Sequence, residues 1–465
     1  MAGRIVFIDS RAPDFQAPRT PFIRRCALPS GLPHGLTYLL ALLICAPLMA
    51  SAEIPTAENL TRAPHHGLAR LIQQATQNHP DIAAARAEHR ATEFEITSAH
   101  KQFYPTPAVQ LRNDKDGMAT VASLTQPLWT GGRLTAGLDA ANRRAAAADL
   151  AIIEARYNLA LRVVAAWAAF RQAQGREHAQ AEGVELLKIY SESVNRRILG
   201  GASAEVDRDL VAARLAQAQS DLTAAHAALR TAQAQLAQLL GHPIDTKDLN
   251  TKNPEPAQAA DDVAMDKLVP LDELIKQATD FSPTLRRIDT EIETARLDVD
   301  KKRAAQWPTV NLRAEHQRRD ASAISASVND SRIMLTLDYS PDAGLSAGAN
   351  IAAAQSRIVT QQEKREAARR NLTEKIQADY EEYLASRERA RSIERTLAAN
   401  SAVLASYDRL LVAGRRSWLD VLNIARELTL ARALLADIDA QMEASRYRLR
   451  LHANALPQIT MDTSL

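Results

Sequence analysis

Aromatic residues are scarce in this sequence, and their scarcity narrows the class of protein. Only 4% of the 465 residues are aromatic although 46% are hydrophobic, so alanine and leucine carry most of the apolar content. Both are strong helix formers, whereas large enzyme cores are usually rich in aromatic side chains. The net charge of +2 provides no strong basic field, which nucleic-acid binding needs. The composition therefore favours a helical protein that binds no nucleic acid.

Cysteine is also rare, and both copies, Cys26 and Cys45, fall in a segment that has the pattern of an export signal. Arg24 and Arg25 precede an apolar run at 38–49, and small residues follow at 50–52. This order is typical of a secretory signal peptide. The run is too short to span a bilayer, which makes a membrane anchor the weaker alternative. We expect a signal peptide at residues 1–52 and an exported chain without cysteine.

The rest of the chain contains two copies of one plan. Leu71-Ile72-Gln73-Gln74-Ala75-Thr76 returns with one substitution at 274–279, and a Gly-x5-Asp-x4-Ala-x2-Leu-x2-Ala pattern begins at both Gly201 and Gly414. Such self-similarity indicates a duplicated structural unit. We expect a first repeat at 53–242, a proline-bearing linker at 243–270, a second repeat at 271–456 and a tail at 457–465.

Proline is missing from one long stretch of each repeat, at 128–242 and at 342–456. Glycine interrupts each stretch near its middle, at Gly200-Gly201 and at Gly414. Proline breaks helices and glycine commonly ends them, so each stretch predicts two long helices joined by a tight turn. The predicted hairpins cover about 132–241 and about 344–456. Gly175 and Gly183 fall inside the first arm, where they could kink it. An ordinary coiled coil remains the alternative.

Between the helices, each repeat predicts two strands, at about 106–128 and about 309–339. Val109 and Leu111 alternate with polar residues, and Ile333, Leu335 and Leu337 do the same. Alternation is typical of a strand with one apolar face, and the lengths suit a tilted transmembrane strand.

Four of the few aromatic residues lie at the strand ends nearest the helices, as in a girdle at a membrane boundary: Tyr104, Trp129, Trp307 and Tyr339. A soluble sheet capped by aromatics is the alternative. Four lipid-facing strands cannot close a barrel, because small barrels need about eight. Unpaired strand edges are costly in lipid, so several chains would have to share one barrel.

Enzyme chemistry finds little support in the motifs. Gly131-Gly132-Arg133 lacks the Lys-Ser/Thr of a phosphate-binding loop, and the histidines form no H-E-x-x-H pattern. We therefore expect neither catalysis nor a cofactor or metal ion.

These residues together resemble the TolC-like outer-membrane factor family. The resemblance is carried by the duplicated plan, by the Leu124–Arg133 segment at the second strand's exit, and by the hairpin pattern. It implies a mainly α fold with a small β part, in which three chains form a 12-stranded β-barrel in the outer membrane of a Gram-negative bacterium and an α-helical barrel across the periplasm. The implied partners are further copies of the chain, outer-membrane lipid, a periplasmic adaptor and an inner-membrane transporter, of the ABC type or another.

The resemblance also implies a gate at the periplasmic end. Asp420 matches the family's acidic constriction, where a ring of three carboxylates would raise the proton affinity of each. Asn423 stands where efflux members often carry a second acid. Arg416 matches a basic position that helps to lock the closed state, and Asp207 is the equivalent acid in the first repeat. Solvated capping charges are the alternative, chiefly for Asp207.

The hairpin turns are the expected contacts with the adaptor. An exposed Trp418 would be a plausible anchor, but packing between helices is an equal alternative. The full set of predicted contact residues is Gly200, Gly201, Ala202, Ser203, Gly414, Arg415, Ser417 and Trp418.

The exported cargo depends on weaker signals. The segment at 339–346 is similar to family members that serve type I secretion of large adhesins, which favours protein export. Small-molecule or drug efflux is the alternative. A periplasmic coiled-coil scaffold without a barrel is the structural competitor.

Overall fold

The computed structural model describes residues 67–114, 117–243, 269–319, 328–340, 344 and 346–453. The predicted signal peptide at 1–52, nearly all of the predicted linker and the predicted tail lie outside the described residues. The same holds for most of residues 341–345.

The described residues form eight helices and four strands. In chain order they are α1 Leu68–Asn78, α2 Pro80–Lys101, β1 Thr106–Asp114, β2 Gly117–Trp129, α3 Arg133–Leu199, α4 Glu205–Leu240, α5 Leu271–Phe281, α6 Pro283–Ala304, β3 Thr309–Arg319, β4 Val328–Asp338, α7 Ala347–Val412 and α8 Trp418–His452. Helices α3 and α7 have 67 and 66 residues. At 1.5 Å per residue, each is about 100 Å long.

The interior glycines of α3, which are Gly137, Gly175 and Gly183, do not interrupt it. The helix is continuous from Arg133 to Leu199. A Cβ on Gly183 would lie 2.9 Å from Thr429 Oγ1 of α8, and one on Gly175 would collide with the Ala436 side chain. Glycine is therefore present because the two helices approach closely there.

The helices lie side by side in two orders along their length. Near the sheet the order is α2, α3, α6 and α7, and further away it is α4, α3, α8 and α7. Helix α1 packs on α3 and α5 packs on α7. Within the described residues, α7 forms one edge, and α2 and then α4 form the other.

Apolar packing and charge pairs hold these layers together. One buried cluster includes Ile72, Phe170 and Leu236, and another lies near the hairpin turns. Buried clusters of this kind supply most of the stability of a fold. Arg176 of α3 makes a bidentate contact with Asp437 of α8, at 2.7 to 3.0 Å. The ion pairs mainly fix the register of neighbouring helices, because exposed pairs contribute little stability.

A buried polar joint fastens α3, α7 and α8 together. Tyr157 Oη lies 2.5 Å from Nδ1 of His452, whose Nε2 is 3.4 Å from Asp379 Oδ2. Arg448 Nε donates to the other oxygen of Asp379 at 2.7 Å. Burial, and then the charge of Asp379, raise the pKa of Tyr157 well above its usual range. The tyrosine therefore stays neutral in the folded protein.

The four strands form one antiparallel sheet in the order β1-β2-β3-β4. Asp114 pairs with Gly117, Thr309 pairs with Asp338, and the register shifts once, between Pro127 and Trp129. Within the described sheet, β1 and β4 each have one edge without a partner strand. The chain is thus mainly α with a small β part, as the sequence predicts.

Candidate functional site

The two hairpin turns have the same geometry. A left-handed glycine follows each long helix by two residues: Gly201, with a φ of 72°, comes after α3, and Gly414, with a φ of 70°, comes after α7. In the first turn, Ala202 N donates to Arg197 O and Gly201 N donates to Ile198 O. Arg415 and Gly414 repeat this pair of bonds in the second turn. This is the Schellman ending, which needs a left-handed residue and therefore favours glycine.

An acid caps the helix after each turn. Asp207 Oδ2 accepts from Ala204 N, and Asp420 Oδ2 accepts from Ser417 N, both at 3.3 Å. Only the second repeat completes a capping box, because Ser417 Oγ accepts from Asp420 N at 3.3 Å. Within one chain, the bonds from Ser417 lower the pKa of Asp420. The carboxylate is therefore ionised at neutral pH, and both acids act as caps.

Trp418 joins the two turns. Its indole Nε1 donates to Ser203 Oγ at 3.2 Å, and its ring meets Tyr190 edge to face at 5.9 Å. Only 2% of Trp418 is exposed. The expectation of an exposed anchor is therefore wrong, and the alternative of packing between helices describes the structure. Tyr190 Oη also donates to Asp408 Oδ1 of α7 at 3.0 Å.

Arg416 is exposed beside the same cluster. Its guanidinium lies 4.5 Å from the ring centre of Tyr407, and its Nη1 lies 3.7 Å from Asp420 Oδ2. The first contact is a cation–π interaction and the second is a loose, solvent-screened ion pair. Asn423 is also exposed, one turn further along α8. The predicted gate residues thus lie together at one end of the helices.

The sheet at the other end of the helices has two unlike faces. By register, one face carries exposed apolar residues, which are Val109, Leu111, Met118, Leu124, Leu312, Ile333, Leu335 and Leu337. The opposite face is polar. There Glu315 contacts Arg313 at 3.2 Å and Arg332 at 2.8 Å, and Asn311 donates to Asp338 at 2.7 Å. An exposed apolar surface of this extent is typical of an interaction with lipid or another chain.

The four predicted girdle aromatics lie where the strands meet the helices. The exposed fractions are 54% for Tyr104, 48% for Trp129, 61% for Trp307 and 62% for Tyr339. Gly131 packs closely on Trp307, since an added Cβ would lie 2.6 Å from that side chain. None of the described helices is long and apolar enough to cross a membrane.

Sequence reasoning missed three residues at the turns, which are Tyr190, Tyr407 and Asp408. The sequence did contain a signal for the two tyrosines. Tyrosine is rare in this chain, and Tyr190 and Tyr407 each precede a glycine turn by about two or three helical turns. Their partners lie elsewhere in the sequence, and Tyr190 and Asp408 are separated by 218 residues. No local pattern carries that pairing.

Comparison with known proteins identifies the family of this chain. The chain matches the outer membrane efflux protein family over residues 71–242 and 274–455. The cobalt-zinc-cadmium resistance protein CzcC of Cupriavidus metallidurans is 23% identical over 425 residues, which cover 88% of this chain and 94% of that protein.

Solved structures show the same fold. CusC superposes with a TM-score of 0.68 at 17% identity, over 83% of this chain and 91% of that one. The outer membrane protein VceC of Vibrio cholerae also superposes with a TM-score of 0.68, at 15% identity, over 83% of this chain and 95% of that one.

The family match, on a chain with two helical hairpins and a small two-faced sheet, defines the class of the protein as a non-enzymatic channel component of the outer membrane. The chain belongs to the outer membrane efflux protein family. It is therefore an outer-membrane efflux channel, as the resemblance of its motifs predicts.

Proposed function

We propose that three copies of this chain form one channel across the outer membrane. The supporting observation is the sheet, which exposes an apolar face and has an unpaired edge at each side. Pairing β4 of one copy with β1 of the next gives twelve strands around three copies and leaves no open edge in lipid. The face with Glu315 and Arg332 then lines the lumen.

The helices continue this tube into the periplasm. Their edges lie on opposite sides of each chain, with α7 on one side and α2 and α4 on the other. When one edge of a chain contacts the opposite edge of the next chain, the interface is head to tail. Repeating such an interface around an axis closes the chains into a ring. We infer that α7 of one copy packs on α2 and α4 of the next.

The turns at the far end form the gate and the adaptor surface. In a ring of three, the Asp420 carboxylates attract cations and repel one another. Arg416 lies close enough to neutralise part of that charge. The exposed turn residues, from Gly200 to Ala202 and from Gly414 to Ser417, are available to a periplasmic adaptor that connects to an inner-membrane transporter.

The relatives favour small solutes, and not large proteins, as the exported cargo. A relative that spans 88% of this chain is named a cobalt-zinc-cadmium resistance protein. We propose metal cations or drugs as the exported class. Type I secretion is the second candidate, and it depends on residues 339–346, most of which lie outside the described residues.

Conductance tests the channel itself. The purified protein, added to a planar lipid bilayer, should insert and give stepwise currents. Asp420→Asn should lower the preference for cations over anions, whereas Asp209→Asn, on the same hairpin end, should not. A protein that never inserts would contradict the proposed channel.

Growth assays separate the two kinds of cargo. A strain that lacks the protein should become sensitive to cobalt, zinc and cadmium salts or to antibiotics, with normal display of adhesins on its surface. Loss of adhesin display with unchanged sensitivity would favour type I secretion instead.

A further inference from the structure

A belt of basic side chains lies at the helix ends directly below the sheet. Helix α2 ends with Lys101, and α6 ends with Lys301, Lys302 and Arg303. Helix α3, which lies between α2 and α6, begins at Arg133. We call these five residues the basic belt; two acids, Asp298 and Asp300, lie close to it on α6.

Most residues of the basic belt form no ion pair with another described residue of the protein. Arg303 lies 3.4 Å from Asp300, but among the described residues none pairs with Lys101, Lys301 or Lys302. Two arginines of α3 further from the sheet do have partners: Arg143 pairs with Glu293 at 3.1 Å, and Arg144 pairs with Asp298 at 2.8 Å. Three lysines at the junction of helices and strands thus lack an acidic partner among the described residues.

Helix dipoles explain only part of this belt. Cations are stabilised at a helix C-terminus, which accounts for the lysines of α2 and α6. Arg133 is the first residue of α3, where the dipole disfavours a cation. The dipole therefore does not account for Arg133.

The aromatic residues beside the belt indicate the kind of partner that it binds. Tyr104 follows Lys101 by three residues, and Trp307 follows Arg303 by four, and both are more than half exposed. Aromatic side chains prefer the depth of lipid headgroups, and basic side chains near them favour anionic lipids. Above both lies the exposed apolar face of the sheet.

We propose that the basic belt binds the headgroups of anionic phospholipids in the membrane leaflet nearest the helices. Residues 301, 302 and 303 are each about 100° apart around α6 and all three are exposed, so together they cover about 200° of the helix surface. Long lysine stems reach a headgroup while their methylenes lie on apolar surface. The proposal rests on the proposed function, since it places the sheet in the membrane.

Lipid retention tests this proposal with charge-matched variants of the full chain. The belt variant carries Lys101→Gln, Lys301→Gln and Lys302→Gln. The control variant carries Lys276→Gln, Lys364→Gln and Lys375→Gln, which removes the same charge from exposed lysines on α5 and α7. Each detergent-purified protein is titrated with phosphatidylglycerol or phosphatidylcholine of identical acyl chains, and bound lipids are counted by native mass spectrometry.

Wild type and control should retain phosphatidylglycerol in preference to phosphatidylcholine. The belt variant should bind phosphatidylglycerol at least about tenfold more weakly, at a few-fold for each lysine, with unchanged phosphatidylcholine binding and circular dichroism. Equal binding of the two lipids, or a belt variant equal to the control, would overturn the proposal.

The same proteins, reconstituted into phosphatidylcholine vesicles, separate this proposal from the proposed function. Wild type that inserts and conducts without selecting phosphatidylglycerol contradicts the belt alone. Wild type that fails to insert into any vesicle contradicts the channel.

Discussion

The indole of Trp418 and the hydroxyl of Ser203 connect the two hairpin turns through one hydrogen bond of 3.2 Å. These residues are 215 positions apart and belong to different repeats. The bond lies in the same cluster as the contacts from Tyr190 to Trp418 and Asp408. The turns are thus held to each other inside one chain, next to the residues of the proposed gate.

Removing the Trp418 side chain should loosen this end of the protein. Trp418→Ala leaves a cavity among buried residues, which typically costs about 3–5 kcal/mol. We expect faster amide hydrogen exchange at both turns and more antibiotic leakage through the channel. The exposed neighbour provides the control, because Leu419→Ala removes a side chain that is already 46% exposed. Equal exchange rates in the two variants would contradict the connection.

Ser203→Ala isolates the hydrogen bond from the packing. It leaves the part-buried indole N–H without its partner, at a cost of about 1–3 kcal/mol. Exchange at the turns should rise less than in Trp418→Ala. Wild-type exchange in Ser203→Ala would show that packing alone joins the turns.

The two repeats provide a matched test of helix capping. Ser417 caps α8 with its hydroxyl, whereas Ala204 occupies the same place before α4 in an extended conformation with ψ of 154°. Ala204→Ser should therefore stabilise the start of α4 by about 1 kcal/mol, and Ser417→Ala should destabilise the start of α8 similarly. Hydrogen exchange at the first turn of each helix measures both, and changes of the same sign would contradict the assignment.

Acidification should weaken the cap that Asp420 forms at the start of α8. Since its hydrogen bonds lower the pKa of Asp420, the carboxylate stabilises the folded state above the unfolded pKa, near 4. That contribution is lost as pH falls through the lower folded value. The protection factor at the start of α8, which is corrected for the intrinsic pH dependence of exchange, should therefore fall in acid in wild type and stay flat in Asp420→Asn. A parallel fall in both would assign the effect to another group.

Alkaline pH should destabilise the protein by ionising two buried tyrosines, Tyr157 and Tyr190. Burial comes first among the causes that raise the pKa of Tyr157 and Tyr190 above their usual range, followed by the charges of Asp379 and Asp408. Their neutral forms stabilise the folded state fully below the unfolded pKa, near 10. That stability is lost as pH rises through the higher folded values.

Ultraviolet titration checks this prediction. Tyr190→Phe should leave the tyrosinate signal near pH 10 unchanged, because the hydroxyl that it removes ionises only at very high pH. Loss of part of the signal near pH 10 in Tyr190→Phe would contradict the buried contact with Asp408.

Close helix contact explains the interior glycines of α3. Gly183→Ala should destabilise the protein, because the added methyl meets Thr429, and overpacking typically costs about 1–3 kcal/mol. Gly137→Ala should instead be neutral or stabilising, since the nearest atom lies 3.9 Å away and alanine favours helix. Thermal melting distinguishes the variants, and a stabilising Gly183→Ala would contradict the proposed contact.

Much of the fold follows from the sequence because its signals are local. Two proline-free stretches, each divided by a glycine, predict the hairpins, and alternation at Val109, Leu111 and Ile333 predicts the strands. The burial of Trp418 and its bond to Ser203 could not be predicted, since they depend on how the two repeats pack. The same is true of the joint between Tyr157 and His452, residues 295 positions apart.

The central claim is that three chains complete one barrel, and the mass of the extracted protein tests it most directly. Native mass spectrometry of the protein in detergent should give a single assembly of three chains. A folded single chain that remains soluble without detergent would contradict the claim.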